Sequence, residues 1–207
     1  MGFYEDRILP WLIDLAMRNP RLAAYRSRVV PAASGRVLEV GIGSGLNLPF
    51  YDRSVSEIIG IEPSPRLLKM TRKAGGRTST PLKLIEGTAE AIPIDNRTID
   101  TVLTTWTMCS IPAIELALQE MRRVLKPNGR LLFVEHGRAP EPGVRWWQDH
   151  LTPTWKHFSG GCQLNRPIPE LMQHAGFRIE HLERGYRRPG PKPMTFMYEG
   201  SASCPRT

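Results

Sequence analysis

The chain has 207 residues, of which 41% are hydrophobic and 23% are charged, and its formal net charge is +8. This length suffices for one domain with a real core, and the composition excludes a disordered or a fibrous chain. The basic residues are scattered and no stretch approaches the roughly 20 apolar residues that span a bilayer. The scattered charge therefore predicts a basic solvated surface, although a basic surface also mildly favours an anionic lipid or nucleic acid. The sequence shows no basic stripe with interleaved aromatic residues and no appended RNA-binding module, which argues against a nucleic-acid partner.

The chain has three cysteines, Cys109, Cys162 and Cys204. They form no CxxC pair and no cluster with histidine in the sequence, so no metal site is predicted. An odd cysteine count without a secretion signal at the start is typical of a reducing compartment, and we expect a cytoplasmic protein.

The start of the chain predicts two helices. The first is amphipathic and ends at Pro20, and the second covers residues 21–30 and ends at Pro31. We expect residues 1–33 to form a helical lid. The apolar positions at helical spacing in the first helix are Ile8, Leu12, Leu15 and Ala16.

Strands and helices alternate in the next hundred residues. Ser64 is the predicted N-cap of one helix, and Gly75 is expected just past its end. Continuous apolar strands between helices predict a mostly parallel sheet covered on both faces. The predicted strands are 36–40, 56–62, 81–87, 99–108 and 129–137, the helices are 64–75 and 112–126, and residues 47–52 form a short helical or irregular segment.

The pattern changes after Gly137. Residues 138–168 are rich in Trp, His, Arg and Gly, and we expect short helices and a partly irregular cover there. A helix follows and ends near Gly176. Two strands, 177–187 and 193–203, complete a seven-stranded sheet whose last strand is antiparallel.

Three glycines follow the first predicted strand, in the pattern E-x-G-x-G-x-G from Glu39 to Gly45. Glycine lets the backbone approach a ligand and adopt positive φ. In the dinucleotide fingerprint GxGxxG the third glycine would stand at Leu46, so the pattern argues against a nicotinamide oxidoreductase.

The pattern resembles motif I of the class I methyltransferases that use S-adenosylmethionine, and the resemblance extends over residues 36–136. It implies that Glu39 supports the glycine loop and the amino end of the cofactor, and that Glu62 accepts the ribose hydroxyls. It also implies a single methyltransferase domain, 1–207, with a cofactor-binding half, 36–136, and a substrate-side half, 137–207. The residues assigned to the cofactor are Glu39, Gly41, Gly43, Gly45, Asn47, Glu62, Pro63, Thr88, Ala89, Glu90, Thr104 and Thr105.

Beyond residue 134 the sequence resembles the methyltransferase-like seven group, which are membrane-associated alkyl thiol S-methyltransferases. The matching positions include Glu135-His136, Trp155, Gly161-Cys162 and Arg166. The long N-terminal hydrophobic anchor of that group has no counterpart in the chain. We therefore expect a soluble protein, with peripheral membrane contact through the N-terminal helix left open.

Residues at the carboxyl ends of the fourth and fifth predicted strands and in the substrate-side half carry the expected acceptor chemistry. His136 follows a strand, where a general base or thiolate partner would stand, and Arg166 could hold an anionic substrate. The tryptophans could build an apolar wall. Candidate catalytic residues are His136, Arg166 and His157, and candidate substrate-pocket residues are Trp106, Trp155, Cys162 and Tyr186.

The sequence thus predicts an S-adenosylmethionine-dependent methyltransferase that acts on a small molecule, with a thiol as the favoured acceptor. A thiol of pKa near 8.5 needs only modest stabilisation of its thiolate. The alternatives are a phospholipid amine and a quinone-type ring carbon. The intact glycine loop and the acid at Glu62 argue against a non-catalytic cofactor-binding module. The sequence leaves open whether the protein is a monomer or a homodimer.

Overall fold

The computed structural model describes residues 8–76, 78–187 and 189–205, so residues 1–7 of the expected lid lie outside it. The strands of the described residues are β1 Gly35–Val40, β2 Val55–Glu62, β3 Leu82–Glu86, β4 Ile99–Thr105, β5 Leu125–His136, β6 Arg178–Tyr186 and β7 Phe196–Ser203. The α-helices are α1 Leu9–Met17, α2 Pro20–Val29, α3 Pro65–Gly75, α4 Ile114–Val124, α5 Pro142–Phe158 and α6 Ile168–His174.

All strands join one sheet in the order β3-β2-β1-β4-β5-β7-β6. The pairs among β1 to β5 are parallel, and β7 pairs antiparallel with both β5 and β6. This confirms the predicted fold class, a seven-stranded Rossmann-like sheet with an antiparallel last strand. The strand order reverses between β1 and β4, and open α/β sheets bind ligands at such a point.

The sheet is buried on both faces because its strand residues alternate between two hydrophobic clusters. On β5, Leu131 and Phe133 belong to the cluster that includes α4, whereas Leu132 and Val134 belong to the cluster that includes the end of α2. Successive side chains of a strand point to opposite faces, so a continuous apolar run serves both clusters. Helices therefore cover both faces, as expected.

The ends of α3 show one confirmed detail and one correction. Ser64 is the N-cap, and its hydroxyl accepts a hydrogen bond from the backbone N–H of Leu67 at 3.4 Å. Gly75 was expected just past the helix, but it is the last helical residue and Gly76 is the C-cap. A Cβ at Gly75 would lie 2.4 Å from Cδ2 of Leu82, so close packing on β3 explains this glycine better than a turn does.

The prediction of short helices after Gly137 was wrong. The segment forms α5, a 17-residue helix that continues through Pro153. Buried Gln148 ties the helix to the exit of β5. Its Nε2 donates to the Gly137 carbonyl at 3.0 Å, and its Oε1 accepts from the N–H of Ala139 at 2.9 Å. This tertiary anchor offsets the backbone hydrogen bond that proline cannot donate.

The residues that helix α1 buries are not those of its predicted apolar face. Its buried residues are Pro10 and Asp14, whereas Trp11 and Leu15 are 53% and 57% exposed. Asp14 is buried with a partner, because Nε of Arg18 donates to its carboxylate at 2.8 Å. No helix within the described ranges combines the length and the apolar character that a bilayer crossing requires.

Candidate active site

A cavity of about 750 Å³ opens at the carboxyl ends of β1 to β5. Its floor is the strand-end loops on either side of the β1–β4 switch point. Helix α1, helix α2 through Leu22 and Arg26, and the end of α5 cover it, and most of the side chains that line it are apolar. Sites of this size and character typically hold small molecules and cofactors.

The glycine loop after β1 forms one wall. Gly41, Gly43 and Gly45 have φ angles of +70°, +58° and +80°, a region that L side chains rarely adopt. Gly41 and Gly43 line the cavity, and within the described residues a Cβ on Gly43 would meet no atom closer than 3.9 Å. Gly45 does not line it. This glycine packs instead against Leu48 and against Thr71 of α3.

Glu39 lies behind the loop rather than in the cavity lining, because it precedes Val40 and points to the other face of β1. Its carboxyl accepts hydrogen bonds from Nδ2 of Asn47 at 2.8 Å and from the hydroxyl of Tyr51 at 2.7 Å. Burial raises the pKa of Glu39 to about 7 despite these donors. Asn47 does line the cavity, and its Oδ1 is buried without a hydrogen-bond partner among the described residues.

Glu62, the last residue of β2, lines the cavity and is 7% exposed. Its two carboxylate oxygens accept hydrogen bonds from the backbone N–H groups of Gly43 at 3.1 Å and Ser64 at 3.0 Å. Burial raises the pKa of Glu62, and these two donors lower it in part. The carboxylate thus joins the glycine loop to the start of α3.

Of the other expected cofactor residues, all but Thr104 line the cavity. Thr105 contributes to the wall, whereas Thr104 is fully buried outside the lining because neighbouring strand residues point to opposite faces. The backbone N–H of Ala113 donates to Oε1 of Glu90 at 3.3 Å, which holds the loop after β3 against the start of α4. The expected residues that line the cavity here are Pro63, Thr88, Ala89, Glu90 and Thr105.

The half of the cavity beside β4 and β5 is lined by His136, Trp106, Trp155 and Cys162, all expected from the sequence. Trp106 has a positive φ of 52°, and the guanidinium of Arg26 lies 4.8 Å from the centroid of its ring. Apolar residues of the two covering helices complete this half. They are Leu9, Leu12, Ile13 and Ala16 of α1 and Phe158 of α5.

Three of the residues expected to bind or activate the acceptor do not reach the cavity lining. Arg166 is buried, and its guanidinium donates to the carbonyls of Met108 and Ile111. His157 is exposed on α5. The ring of Tyr186 packs on Phe196, and its hydroxyl donates to a carboxylate oxygen of Glu141.

Cys109 also lines the cavity, and the sequence did not single it out. The ligand atoms of Cys109, His136 and Cys162 all lie within 4.8 Å of one another. At least 26 positions separate any two of them along the chain, so spacing alone could not reveal the cluster. The available signal was topological: Cys109 follows β4 and His136 ends β5, and these strands are neighbours.

Comparison with known proteins agrees with this arrangement. Residues 38–133 match the family described as "Methyltransferase domain". Over 176 residues, the chain is 34% identical to thiol S-methyltransferase TMT1B of Homo sapiens, a match that covers 81% of this chain and 69% of that protein. The chain therefore belongs to the class I S-adenosylmethionine-dependent methyltransferases. Within that class, the resemblance to the thiol S-methyltransferase group is confirmed.

Other relatives carry different names. The chain is 28% identical to the ubiquinone/menaquinone biosynthesis C-methyltransferase UbiE of Syntrophotalea carbinolica, over 97% of this chain and 89% of that protein. It is 36% identical to a phosphatidylethanolamine N-methyltransferase of Cereibacter sphaeroides, over 52% of this chain and 53% of that protein. The matches to mammalian thiol S-methyltransferases span 62 to 69% of those proteins.

Solved structures support the fold alone. The YcgJ protein from Bacillus subtilis matches with a TM-score of 0.72 and 14% identity, over 92% of this chain and 100% of that chain. A SAM-dependent methyltransferase from Thermotoga maritima matches with a TM-score of 0.69 and 22% identity, over 96% of this chain and 99% of that one.

S-adenosylmethionine is the cofactor of this class, and the cavity fits it. The carbonyl oxygen of the Asn47 side chain is buried at the wall and has no donor among the described residues, and the amino group of the cofactor is a donor. Gly43 leaves open space beside the loop. The site therefore offers both an unpaired acceptor and a close approach to backbone, which a bound cofactor can use.

Proposed function

We propose that the protein transfers the methyl group of S-adenosylmethionine to the sulfur of a small apolar thiol. The observation that carries this proposal is the apolar half of the cavity beside His136, which has the right character for an alkyl acceptor. The 34% identity to thiol S-methyltransferase TMT1B, over 81% of the chain, supports the same acceptor.

In this proposal the cofactor occupies the half of the cavity beside the glycine loop, Glu62 and the loop after β3. Glu62 receives the ribose hydroxyls, since it is the carboxylate at the end of β2 beside the glycine loop. Asn47 receives the amino end through Oδ1, which has no hydrogen-bond partner among the residues described. Thr88, Ala89 and Glu90 line the wall against the adenine.

Glu39 is a positioning residue, because it acts on the loop through the side chain of Asn47. We propose that Arg166 is also a positioning residue. Its two hydrogen bonds to Met108 and Ile111 hold the turn after β4, which carries Cys109 into the cavity wall.

When bound, S-adenosylmethionine supplies a methyl group on a cationic sulfur, which a thiolate takes by in-line displacement to leave S-adenosylhomocysteine. The chain must therefore take up the thiol proton or hold the thiolate, exclude water and align the acceptor. His136 stands where this is needed, because it is buried, it lines the cavity and its Nε2 has no hydrogen-bond partner among the described residues. Trp106 and Trp155 form the surrounding walls.

The test is S-adenosylhomocysteine production by the purified protein with three acceptors in parallel: a short alkyl thiol, a phosphatidylethanolamine dispersion and a quinol precursor. Turnover with the thiol alone is the expected result. Turnover with the lipid or the quinol alone would contradict the thiol acceptor and would leave the cofactor and fold unaffected.

A matched pair of histidine variants tests the acceptor half. We expect His136→Asn to lower kcat with the thiol by about 10²- to 10⁴-fold, the usual contribution of a positioned acid or base. His174→Asn, at an exposed position at the end of α6, should leave kcat unchanged. Equal rates for the two variants would remove His136 from the chemistry.

A further inference from the structure

We propose that Cys109, His136 and Cys162 form a binding site for a thiophilic divalent metal ion, zinc foremost, in the wall of the cavity. Their ligand atoms lie within 4.8 Å of one another, and Sγ of Cys162 is 3.7 Å from Nδ1 of His136. Donors that share a tetrahedral zinc at about 2.3 Å for sulfur and 2.0–2.1 Å for nitrogen lie roughly 3.5–3.8 Å apart. Small side-chain rotations therefore suffice to complete the site.

The backbone around the two cysteines is fixed before any metal binds. The N–H of Gln163 donates to the carbonyl of Cys109 at 2.9 Å, which ties the segment after α5 to the turn after β4. Arg166 holds the same turn through the carbonyls of Met108 and Ile111. A preformed pair of sulfur donors costs little ordering entropy when it closes on an ion.

The donor set suits a catalytic rather than a structural ion. Two thiolates and one neutral imidazole balance a charge of +2, and Cys₂His with one open position is a known catalytic zinc set. All three residues line the cavity, so the open position would face it. His136 is 6% exposed, and its Nδ1, which lies 3.7 Å from Sγ of Cys162, is the ring nitrogen placed to bind the ion.

The consequence for the reaction depends on the proposed function. A metal ion deprotonates a coordinated thiol, so an acceptor in the open position would enter as a thiolate and its proton would leave to solvent. His136 would then serve as a ligand rather than as a base. A soft ion selects sulfur over amine nitrogen or ring carbon, which would give this cavity its preference for thiols.

The test is direct metal binding by the reduced, metal-free full chain, with Zn²⁺ in competition against a chromophoric chelator and with Co²⁺ as a spectroscopic probe. We expect one ion per chain and a thiolate-to-cobalt absorption band. Addition of a short alkyl thiol should change that band if the open position accepts sulfur.

Serine variants locate the site. Cys109→Ser and Cys162→Ser should each weaken Zn²⁺ binding by at least about 100-fold, the upper range for loss of even an outer-shell partner. Cys204→Ser is the matched control and should bind as the parent does, because this cysteine lies just after β7, away from the cluster. Binding of S-adenosylhomocysteine by each variant checks that it has folded.

Two results would overturn the proposal: a reduced parent protein that binds neither ion, or tight zinc binding that survives Cys162→Ser. Loss of two titratable thiols on mild oxidation of a protein that binds no metal would instead assign the pair to a disulfide. Metal binding is measured without acceptor, so its failure is distinct from failure of thiol methylation in the acceptor screen.

Discussion

The side-chain amide of Asn47 donates to the buried carboxyl of Glu39 at 2.8 Å, and the same Nδ2 also donates to Oγ1 of Thr105 at 3.0 Å. One amide thus joins β1 to the end of β4 across the switch point. Its other end, Oδ1, is buried with no hydrogen-bond partner in the part of the chain that the structure describes. The acid of the glycine motif therefore acts on the cavity through a neighbour.

Burial of Glu39 should make the stability of the protein depend on pH. Its pKa is raised from 4.5 to about 7, so the folded state holds the proton more tightly than the unfolded state does. The stabilisation is complete below pH 4.5 and is lost as the pH rises through about 7. The slope should reach about 1.4 kcal/mol per pH unit in that window.

Glu39→Gln should remove this slope, because the amide does not titrate. Thermal melts of the parent and the variant between about pH 4.5 and 7 measure the difference. The nearby groups Arg26, Tyr51 and Glu62 are common to both proteins, so the comparison isolates position 39. Parallel curves for the two proteins would refute a buried, raised-pKa carboxyl.

Glu62→Gln should weaken binding of S-adenosylhomocysteine by about 10- to 100-fold, since a hydrogen bond to a charged group contributes roughly 1.5–3 kcal/mol. The amide also cannot accept from Gly43 and Ser64 through both of its ends as the carboxylate does. Isothermal titration measures the affinity. Glu86→Gln, at the exposed end of β3, is the control, and equal affinities for both variants would exclude Glu62 from the cofactor site.

Two glycine substitutions should separate backbone strain from steric clash. Gly41→Ala and Gly43→Ala both place a Cβ at positive φ, at a cost of about 1–2 kcal/mol. A Cβ at Gly41 would also lie 2.4 Å from two side-chain atoms of Thr107, whereas Gly43 has open space. Overpacking adds roughly 1–3 kcal/mol, so urea unfolding should rank Gly41→Ala as the less stable protein. The reverse order would contradict the geometry of the loop.

Arg166→Leu should destabilise the protein substantially. It would leave the carbonyls of Met108 and Ile111 without their donor, and each buried unpaired group costs about 1–3 kcal/mol. At roughly 2–4 °C per kcal/mol for a chain of this size, Tm should fall by about 4 °C or more. Arg178→Leu removes a guanidinium of 68% side-chain exposure and should change Tm little. An unchanged Tm for Arg166→Leu would place the guanidinium elsewhere.

Most of the fold followed from local patterns. The apolar strands and the N-cap at Ser64 predicted the alternation that the sheet shows, although the end of α3 at Gly75 was misplaced by one residue. The prediction of short helices over 138–168 was wrong because the long helix α5 depends on Gln148, whose partners at Gly137 and Ala139 only tertiary packing brings near. Propensity could not anticipate a helix that continues through Pro153.

The sequence by itself determined the cofactor class, because the glycine loop and the acid at the end of β2 are encoded by spacing within one supersecondary unit. Only the tertiary structure decided which side chains reach the cavity. It placed Glu39 and Thr104 behind the wall, since neighbouring strand residues face opposite ways, and it turned Arg166 onto backbone carbonyls. It also brought Cys109 to His136, because the ends of the adjacent parallel strands β4 and β5 meet at one edge of the sheet. Cys162 joins them from the segment after α5, which the hydrogen bond from the N–H of Gln163 to the carbonyl of Cys109 ties to the turn after β4.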